Sequence, residues 1–249
     1  MNGWVRCRGC LGWLGRGGQA GLCERCWQGL QPLAEDRCPR CALPHAWTGP
    51  CPEPTAWARG DAFWDYHAGR PPLGPLLVPG IKRGEWGWKR ALLGRLARAP
   101  LPDYTQATDL VCSVPTAAVR RWSRGFDLAE EVGRQLAERL GRPMFRVLRK
   151  PWFARAQAGL AEGQRRRLGV GQVAVAAGWP AQPRLDGATI LLVDDVWTTG
   201  TTLLRCAQAL RRAGAGEVLV LTLFRAGRSG ASRPSSARAL ARKNWLGMD

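Results

Sequence analysis

The segment that most constrains the fold of this chain is ILLVDDVWTTGTTL, at residues 190–203. The run from Ile190 to Val193 is uniformly apolar and has the length of a strand that is buried on both faces, as at the centre of a parallel sheet. After it, Leu203, Ala207 and Leu210 recur at helical spacing. The segment therefore predicts a central parallel strand, a short loop and a helix, which is the repeating unit of α/β domains.

The loop of this unit has the composition of a phosphate site. Two acids, Asp194 and Asp195, follow the apolar run, and we expect them where the strand leaves the core. The next residues are small and hydroxylated, and they are Thr198, Thr199, Gly200, Thr201 and Thr202. Glycine permits backbone angles that turn successive N–H groups around an anion, and a helix N-terminus favours a phosphate. The carboxylates would accept hydrogen bonds from ribose hydroxyls or hold Mg²⁺ on a substrate. The alternative is an ordinary turn with solvated acids.

The segment resembles the phosphoribosyl pyrophosphate (PRPP) motif of the type I phosphoribosyltransferases, with Trp197 where an aliphatic residue is usual. The resemblance implies that Asp194 and Asp195 are the catalytic acids, which contact the ribose hydroxyls. It implies that Thr198 to Thr202 bind the 5′-phosphate, and that Mg²⁺ accompanies PRPP. It also implies an α/β fold of the type I phosphoribosyltransferase kind with a parallel central sheet.

Six of the nine cysteines form CxxC pairs near the N-terminus: Cys7 with Cys10, Cys23 with Cys26, and Cys38 with Cys41. Twelve residues separate the first two pairs, and this spacing with Gly-rich sequence between suits a four-thiolate zinc ribbon. A disulfide framework is the alternative, but cytoplasmic thiols stay reduced and CxxC disulfides are strained. A redox pair of the thioredoxin type is disfavoured because no βαβ pattern surrounds these cysteines.

The third pair predicts a second metal site with a less complete set of ligands. Cys38 and Cys41 are followed by His45 and Cys51, but Pro54 stands where a fourth CxxC cysteine would lie. His45 is therefore the candidate fourth ligand of a Cys₃His zinc site. The alternative is a structural turn without metal.

The charge of the chain favours polyanionic partners. The 37 basic residues outnumber the 19 acids, which gives a formal net charge of +18. Arginine offers planar contacts to phosphate, and the 13 tryptophans offer flat surfaces for unpaired bases. A GC-rich genome also enriches Arg and Trp, but it does not explain the deficit of acids.

The 249 residues allow one α/β domain and a smaller module. We expect a zinc-ribbon module at residues 1–56, the phosphoribosyltransferase-like domain at 57–225 and a basic tail at 226–249. The tail is expected to be disordered and to contact phosphate nonspecifically, or to be inert. No apolar run has the length of a membrane span or of a signal-peptide core, so we expect a cytoplasmic protein without membrane insertion.

A second strand–loop–helix unit precedes the first along the chain. Residues 110–114 predict a strand, which Pro115 ends, and an arginine-containing loop leads to a helix. Asp127 is the expected N-cap of that helix, with Glu130 at its third position, and Gly141 is the expected end. Cys112 and Cys206 are expected to be small apolar core residues.

The chain as a whole resembles the ComF family of competence-associated proteins, up to about residue 225. The resemblance rests on the cysteine pairs, a Y…PL..L…IK-like segment, an SVP loop followed by RGF, and the VDD…TTGTT loop. Outside the cysteines and the last loop, these motifs are carried by Tyr66, Pro72, Leu73, Leu76, Ile81, Lys82, Ser113, Val114, Pro115, Arg124, Gly125 and Phe126. The resemblance implies that Ser113, Val114, Pro115 and Arg124 help to bind PRPP at its pyrophosphate.

The chain departs from the family pattern in two segments. Asp127 and Leu128 replace the Asn and Gln that usually follow RGF, and Ala154 and Leu168 replace a Thr and an Asn of a mobile segment. Losing polar groups that close over PRPP should weaken turnover before it weakens phosphate binding.

Two functions follow from these observations. The first is a ComF-like cytoplasmic protein that handles incoming single-stranded DNA during transformation, keeps a PRPP pocket and works with a helicase or a recombination mediator. The second is an active Mg-dependent phosphoribosyltransferase of nucleobase salvage. We favour the first, because the charge, the tryptophans and the zinc elements add to the resemblance.

Overall fold

The computed structural model describes residues 5–14, 18–44, 51, 53, 55–116, 125–149, 173–175 and 185–227. The strands in these residues are β1 (Arg59–Asp65), β2 (Leu110–Ser113), β3 (Leu148–Arg149), β4 (Ala174–Val175), β5 (Thr189–Trp197) and β6 (Glu217–Arg225). The helices are α1 (Glu24–Trp27), α2 (Gly74–Lys82), α3 (Trp86–Leu96), α4 (Leu128–Leu140) and α5 (Thr201–Arg212), with a 3-10 turn at Asp103–Ala107.

The central sheet has four parallel strands in the order β1-β6-β5-β2. Strand β5 lies between β6 and β2, and the four side chains from Ile190 to Val193 are fully buried. This confirms that the apolar run forms a central parallel strand. Strands β3 and β4 form a separate antiparallel pair.

Strand β5 is longer than the sequence predicts. It pairs with β6 as far as Trp197 opposite Arg225, so Asp194 and Asp195 lie within the strand, at the point where its side chains change from fully to partly buried. Because β6 also has nine residues, it continues to offer hydrogen-bond partners to β5 beyond the acids. The backbone that carries the two carboxylates is therefore held in place by its pairing with β6.

The sheet separates two apolar cores. Leu191 and Val193 of β5 pack on one face with helices α2, α3 and α4, whereas Ile190 and Leu192 pack on the other face with α5. Each face also covers one group of cysteines, since Cys7 and Cys26 belong to the first core and Cys38 and Cys41 to the second. The two groups of cysteines thus lie on opposite faces of the sheet.

The first cysteine group is fastened to α3 by side chains. Trp88 donates a hydrogen bond from Nε1 to the carbonyl of Ala20 at 2.8 Å. The guanidinium of Arg8 makes two hydrogen bonds to Glu85, at 2.6 and 2.8 Å, and lies 4.3 Å from the centroid of the Trp88 ring. These contacts join the cysteine-rich segment to the α/β fold.

Helix α4 begins and ends where its sequence predicts. The side chain of Asp127 accepts a hydrogen bond from the N–H of Ala129 at 3.1 Å, and Gly141 adopts a left-handed conformation at the other end. Glu130 lies buried in the first turn and pairs with Arg134 and with Arg146. Within the described part of the chain, every helix is too short or too polar to cross a membrane.

Candidate functional site

The predicted PRPP residues meet at the carboxyl edge of the sheet. Parallel strands end on the same edge, which is where open α/β sheets bind ligands. The N–H of Val114 donates to the carbonyl of Val193 at 2.8 Å, so the Ser113–Pro115 loop lies directly beside Asp194. The structure thus brings the two predicted loops together although they are 80 residues apart in sequence. Arg124 lies outside the described residues.

The threonine-rich loop is built around Gly200. This residue has a φ of 73° and precedes α5, whose first intrahelical bond runs from the N–H of Leu204 to the carbonyl of Gly200 at 2.8 Å. A Cβ atom added at Gly200 would lie 2.8 Å from Nε1 of Trp197. The hydroxyls of Thr199 and Thr201 lie 3.0 Å apart. The loop therefore turns tightly onto a helix N-terminus, as an anion site requires.

Asp195 faces α2, where its carboxylate forms an ion pair with Lys82. The side chains of Lys82 and Asp195 are 32% and 13% exposed, so the pair is only partly screened by solvent. Tyr66 follows β1 close by, and burial together with the charge of Asp195 raises the pKa of its hydroxyl. The amide of Asp195 donates to the carboxylate of Asp194 at 2.8 Å.

Tyr66 and Lys82 were predicted only as parts of a motif and not as site residues. Their signal was the motif itself, because Lys82 is a charged residue at the end of an apolar helix and Tyr66 directly follows a largely buried strand. Neither property indicates which carboxylate they face. That information requires the position of α2 above the carboxyl edge.

Arg225 is a third residue that the sequence did not indicate. It is buried at the end of β6, and its guanidinium donates to the carbonyls of Cys41 at 2.9 Å and Thr198 at 2.6 Å. A further bond reaches the carbonyl of Trp197 at 3.0 Å, and the guanidinium lies 4.6 Å from the centroid of that ring. One side chain thus connects the second cysteine group to the start of the threonine-rich loop.

The first cysteine group has the geometry of a metal site. The Sγ atoms of Cys7, Cys10, Cys23 and Cys26 all lie within 4.8 Å of one another. Cys7 and Cys26 are 3.6 Å apart, and Cys10 and Cys23 are 3.7 Å apart. A tetrahedron with zinc–sulfur bonds of about 2.3 Å has sulfur–sulfur distances of about 3.8 Å. The four thiols therefore fit a zinc ion.

The backbone around Cys7 stabilises a thiolate. Burial raises the pKa of this thiol, but hydrogen bonds from the N–H groups of Cys23, Cys10 and Gly9 outweigh burial and lower the pKa to about 6. Two of these bonds measure 3.3 Å from Cys23 and 3.4 Å from Gly9. Thiolates are the ligands that zinc requires.

The second cysteine group has three candidate metal ligands in the described residues. The Sγ atoms of Cys38, Cys41 and Cys51 lie within 4.8 Å of one another, and His45 lies outside the described residues. Burial raises the pKa of Cys41 to about 12, and the N–H of Arg40 donates to Sγ of Cys38 at 3.4 Å. All nine cysteines are free thiols, so the structure contains no disulfide framework.

Cys112 and Cys206 are fully buried apolar residues of the second core, as the sequence predicts. The departures at Ala154 and Leu168 lie outside the described residues, as does the tail after Gly227.

Comparison with known proteins agrees with this architecture. Residues 113–240 match the family described as the phosphoribosyl transferase domain. The DNA utilization protein YhgH of Escherichia coli K12 is 30% identical over 217 residues, which are 84% of this chain and 92% of that protein. The protein of the same name from Salmonella typhimurium is 31% identical over 215 residues, with shares of 82% and 90%.

Among solved structures, the glutamine PRPP amidotransferase of B. subtilis is 22% identical, with a TM-score of 0.36. The similarity covers 63% of this chain and 28% of that chain. The family match spans the SVP loop, β5 and α5, and the relatives match over most of the chain. The chain belongs to the ComF family and has a type I phosphoribosyltransferase fold with a parallel central sheet and cysteine groups of the zinc-ribbon kind.

Proposed function

We propose that this protein handles single-stranded DNA in the cytoplasm during natural transformation and binds PRPP, or a related ribose 5-phosphate, at the carboxyl edge of its sheet. The observation that carries the proposal is similarity over 84% of the chain to proteins named for DNA utilization, together with the match to a phosphoribosyl transferase domain. The proposed protein partner is a helicase or a recombination mediator.

In the pocket, each loop has a separate role. The residues Thr198 to Thr202 hold the 5′-phosphate, because they surround the N-terminus of α5. Asp194 and Asp195 accept hydrogen bonds from the ribose hydroxyls. The Ser113–Pro115 loop, which adjoins Asp194, and Arg124 contact the pyrophosphate. Magnesium bound with PRPP would neutralise part of the pyrophosphate charge.

Zinc is the proposed metal of both cysteine groups. Cys7, Cys10, Cys23 and Cys26 hold the first ion, and Cys38, Cys41, Cys51 and His45 hold the second. The support is the tetrahedral spacing of the first four thiols and the cluster of the three described thiols in the second group. Since both groups contribute side chains to the apolar cores, zinc would stabilise the fold rather than act on a substrate.

The DNA role is supported by charge and by exposed aromatic rings. The net charge is +18. Trp13 is 58% exposed and Trp86 49% exposed, and the guanidinium of Arg6 lies 4.8 Å from the centroid of the Trp13 ring. Exposed tryptophan beside arginine is a suitable surface for stacking unpaired bases.

Two binding measurements test the proposal. Titration calorimetry with PRPP and Mg²⁺ should show binding to the wild type and weaker binding to Asp195→Asn. Asp103→Asn, an exposed acid in the 3-10 turn before β2, is the matched control and should bind like the wild type. A gel shift with single-stranded DNA at low salt should show a complex that salt dissociates, and the absence of a shift would refute the DNA role.

Turnover is measured separately, by pyrophosphate release with a panel of bases. We expect little or none, because the segments that depart from the family pattern are those that close over PRPP. Multiple turnover with any base would instead make the protein a phosphoribosyltransferase.

A further inference from the structure

A basic cleft lies at the amino edge of the sheet, opposite the threonine-rich loop at residues 198–202. Its volume is about 670 Å³, and it is bounded by the start of β6, the last turn of α5 and the knuckle between Cys38 and Cys41. Its lining includes the side chains of Arg40, Trp57, Gln208, Arg211, Arg212 and Glu217. The cleft thus joins the second cysteine group to the α/β fold at a place that the PRPP pocket does not use.

The charges in this cleft are exposed while its walls are held in place. Arg40 and Arg212 are both exposed, and Glu217 is the one acid among the described residues that line the cleft. The carbonyl of Arg40 accepts a hydrogen bond from Nε1 of Trp57 at 2.6 Å. Arg211 donates to the carbonyls of Ala215 and Gly216, which fastens the end of α5 to the next turn. An anion would therefore meet exposed guanidinium groups that are carried by a fixed backbone.

The cationic surface continues beyond the cleft along α5. Arg205, Gln208 and Arg212 are exposed and recur at spacings of three and four residues, so they lie on one face of the helix. Arg205 and Arg212 are separated by seven residues, or about 10 Å along the axis. Helix α5 contains three arginines and no acid. A strip of this length is suited to an extended polyanion rather than to one phosphate.

The cleft favours contacts with phosphates over contacts with bases. Trp57 is the aromatic residue in its lining, and it is only 3% exposed because its ring packs edge-on against Trp197 with 5.3 Å between centroids. A buried ring cannot stack on a base. Binding here would depend on charge, so it would be independent of nucleotide sequence and sensitive to salt.

We infer that the cleft and the exposed face of α5 form the binding track for the phosphodiester backbone of single-stranded DNA, with Arg40, Arg205 and Arg212 contacting successive phosphates. This inference rests on the proposed DNA function and assigns it a place on the molecule. The track lies on the face of the sheet that carries α5, whereas α3 and α4 lie on the other face.

The test is fluorescence anisotropy of a labelled oligothymidylate, measured over a series of salt concentrations. The variant is Arg40→Ser/Arg212→Ser. The control is Arg98→Ser/Arg142→Ser, which removes the same charge from exposed positions just after α3 and α4. We expect the variant to bind about tenfold more weakly at low salt, and its slope of log affinity against log salt to be shallower by about 1.4. The control should keep the wild-type slope.

Each outcome separates the two proposals. If the wild type does not bind the oligonucleotide at low salt, the DNA function itself fails. If the wild type binds and both double variants lose affinity equally, or neither does, the track is refuted while the DNA function survives. Displacement of the oligonucleotide by thymidine monophosphate at equal nucleotide concentration would also refute the track, because it would indicate a site for a single phosphate.

Zinc content and PRPP binding are measured on every variant. Both quantities should match the wild type, because none of the substituted side chains is a proposed metal ligand or lies in the proposed PRPP pocket. If Arg40→Ser loses zinc, the decisive variant is Arg205→Ser/Arg212→Ser, which changes only α5 and carries the same expected change in slope.

Discussion

Lys82, the last residue of α2, forms an ion pair with Asp195, the second of the two adjacent acids in β5. A cation is therefore present beside the carboxylates before any ligand binds. The pair is partly buried, so it responds to a charged ligand more strongly than a surface ion pair would. Because Asp195 is a proposed ribose ligand, Lys82 would lie beside the sugar of bound PRPP.

Replacing Lys82 by methionine should weaken PRPP binding. The change removes a cation from an anion site and leaves Asp195 to repel the ligand. The expected loss is about tenfold, or roughly 1.4 kcal/mol. Calorimetry measures it, with Lys89→Met as the control because Lys89 lies on α3 and faces Glu131. Equal affinity of Lys82→Met and the wild type would show that the ion pair has no role in binding.

Gly200→Ala should destabilise the protein and impair phosphate binding. Alanine would be strained at a φ of 73°, and its Cβ would come within 2.8 Å of the Trp197 ring. Gly187→Ala is the matched control, because Gly187 has a φ of 72° but open space around it. Urea unfolding should show a loss of about 1 kcal/mol for Gly187→Ala and about 2 kcal/mol or more for Gly200→Ala. Equal losses would show that the contact with Trp197 is unimportant.

Arg225→Met should lower both stability and PRPP affinity. The carbonyls of Cys41, Trp197 and Thr198 would lose their guanidinium donor in a buried region. The expected loss is about 3 kcal/mol in the free energy of unfolding, measured by urea denaturation. Arg225→Lys should recover only part of it, since an ammonium cannot reproduce the planar set of donors. Full recovery by lysine would show that charge alone is needed.

Zinc analysis of the purified protein should give one or two equivalents per chain. Cys10→Ser should remove one equivalent and lower the thermal midpoint, because Cys10 contributes one of the four thiols of the first group. Cys206→Ala also removes a thiol, but one in the apolar core, so it should leave the zinc content unchanged. A wild-type protein purified without zinc would refute both proposed sites.

PRPP affinity also reports on the proposed second metal site, because Arg225 connects the two. This residue donates to the carbonyls of Cys41 and Thr198, so a change at the knuckle between Cys38 and Cys41 can alter the threonine-rich loop. We expect Cys38→Ser to weaken PRPP binding although Cys38 lies outside the pocket. Cys10→Ser, on the opposite face, should change PRPP affinity less, and the reverse order would contradict the proposed connection.

Much of the site was predictable because its signals are local. The apolar run at Ile190–Val193 is a fully buried strand, and Asp127 and Gly141 bound α4 as predicted. The CxxC spacing likewise predicts clustered thiols, since each pair needs only a tight turn. The end of β5 was predicted incorrectly, because its length depends on pairing with β6 rather than on its own residues.

The sequence alone determines the strand, the threonine-rich loop, the helix caps and the cysteine pairs, because hydrophobic period, glycine freedom and ligand spacing act over a few residues. The tertiary structure decides that Lys82 meets Asp195, that Arg225 joins Cys41 to the threonine-rich loop, and that the two cysteine groups lie on opposite faces. These contacts join residues far apart in the chain. They follow from the strand order β1-β6-β5-β2, which brings distant segments to the same edge or face of one sheet.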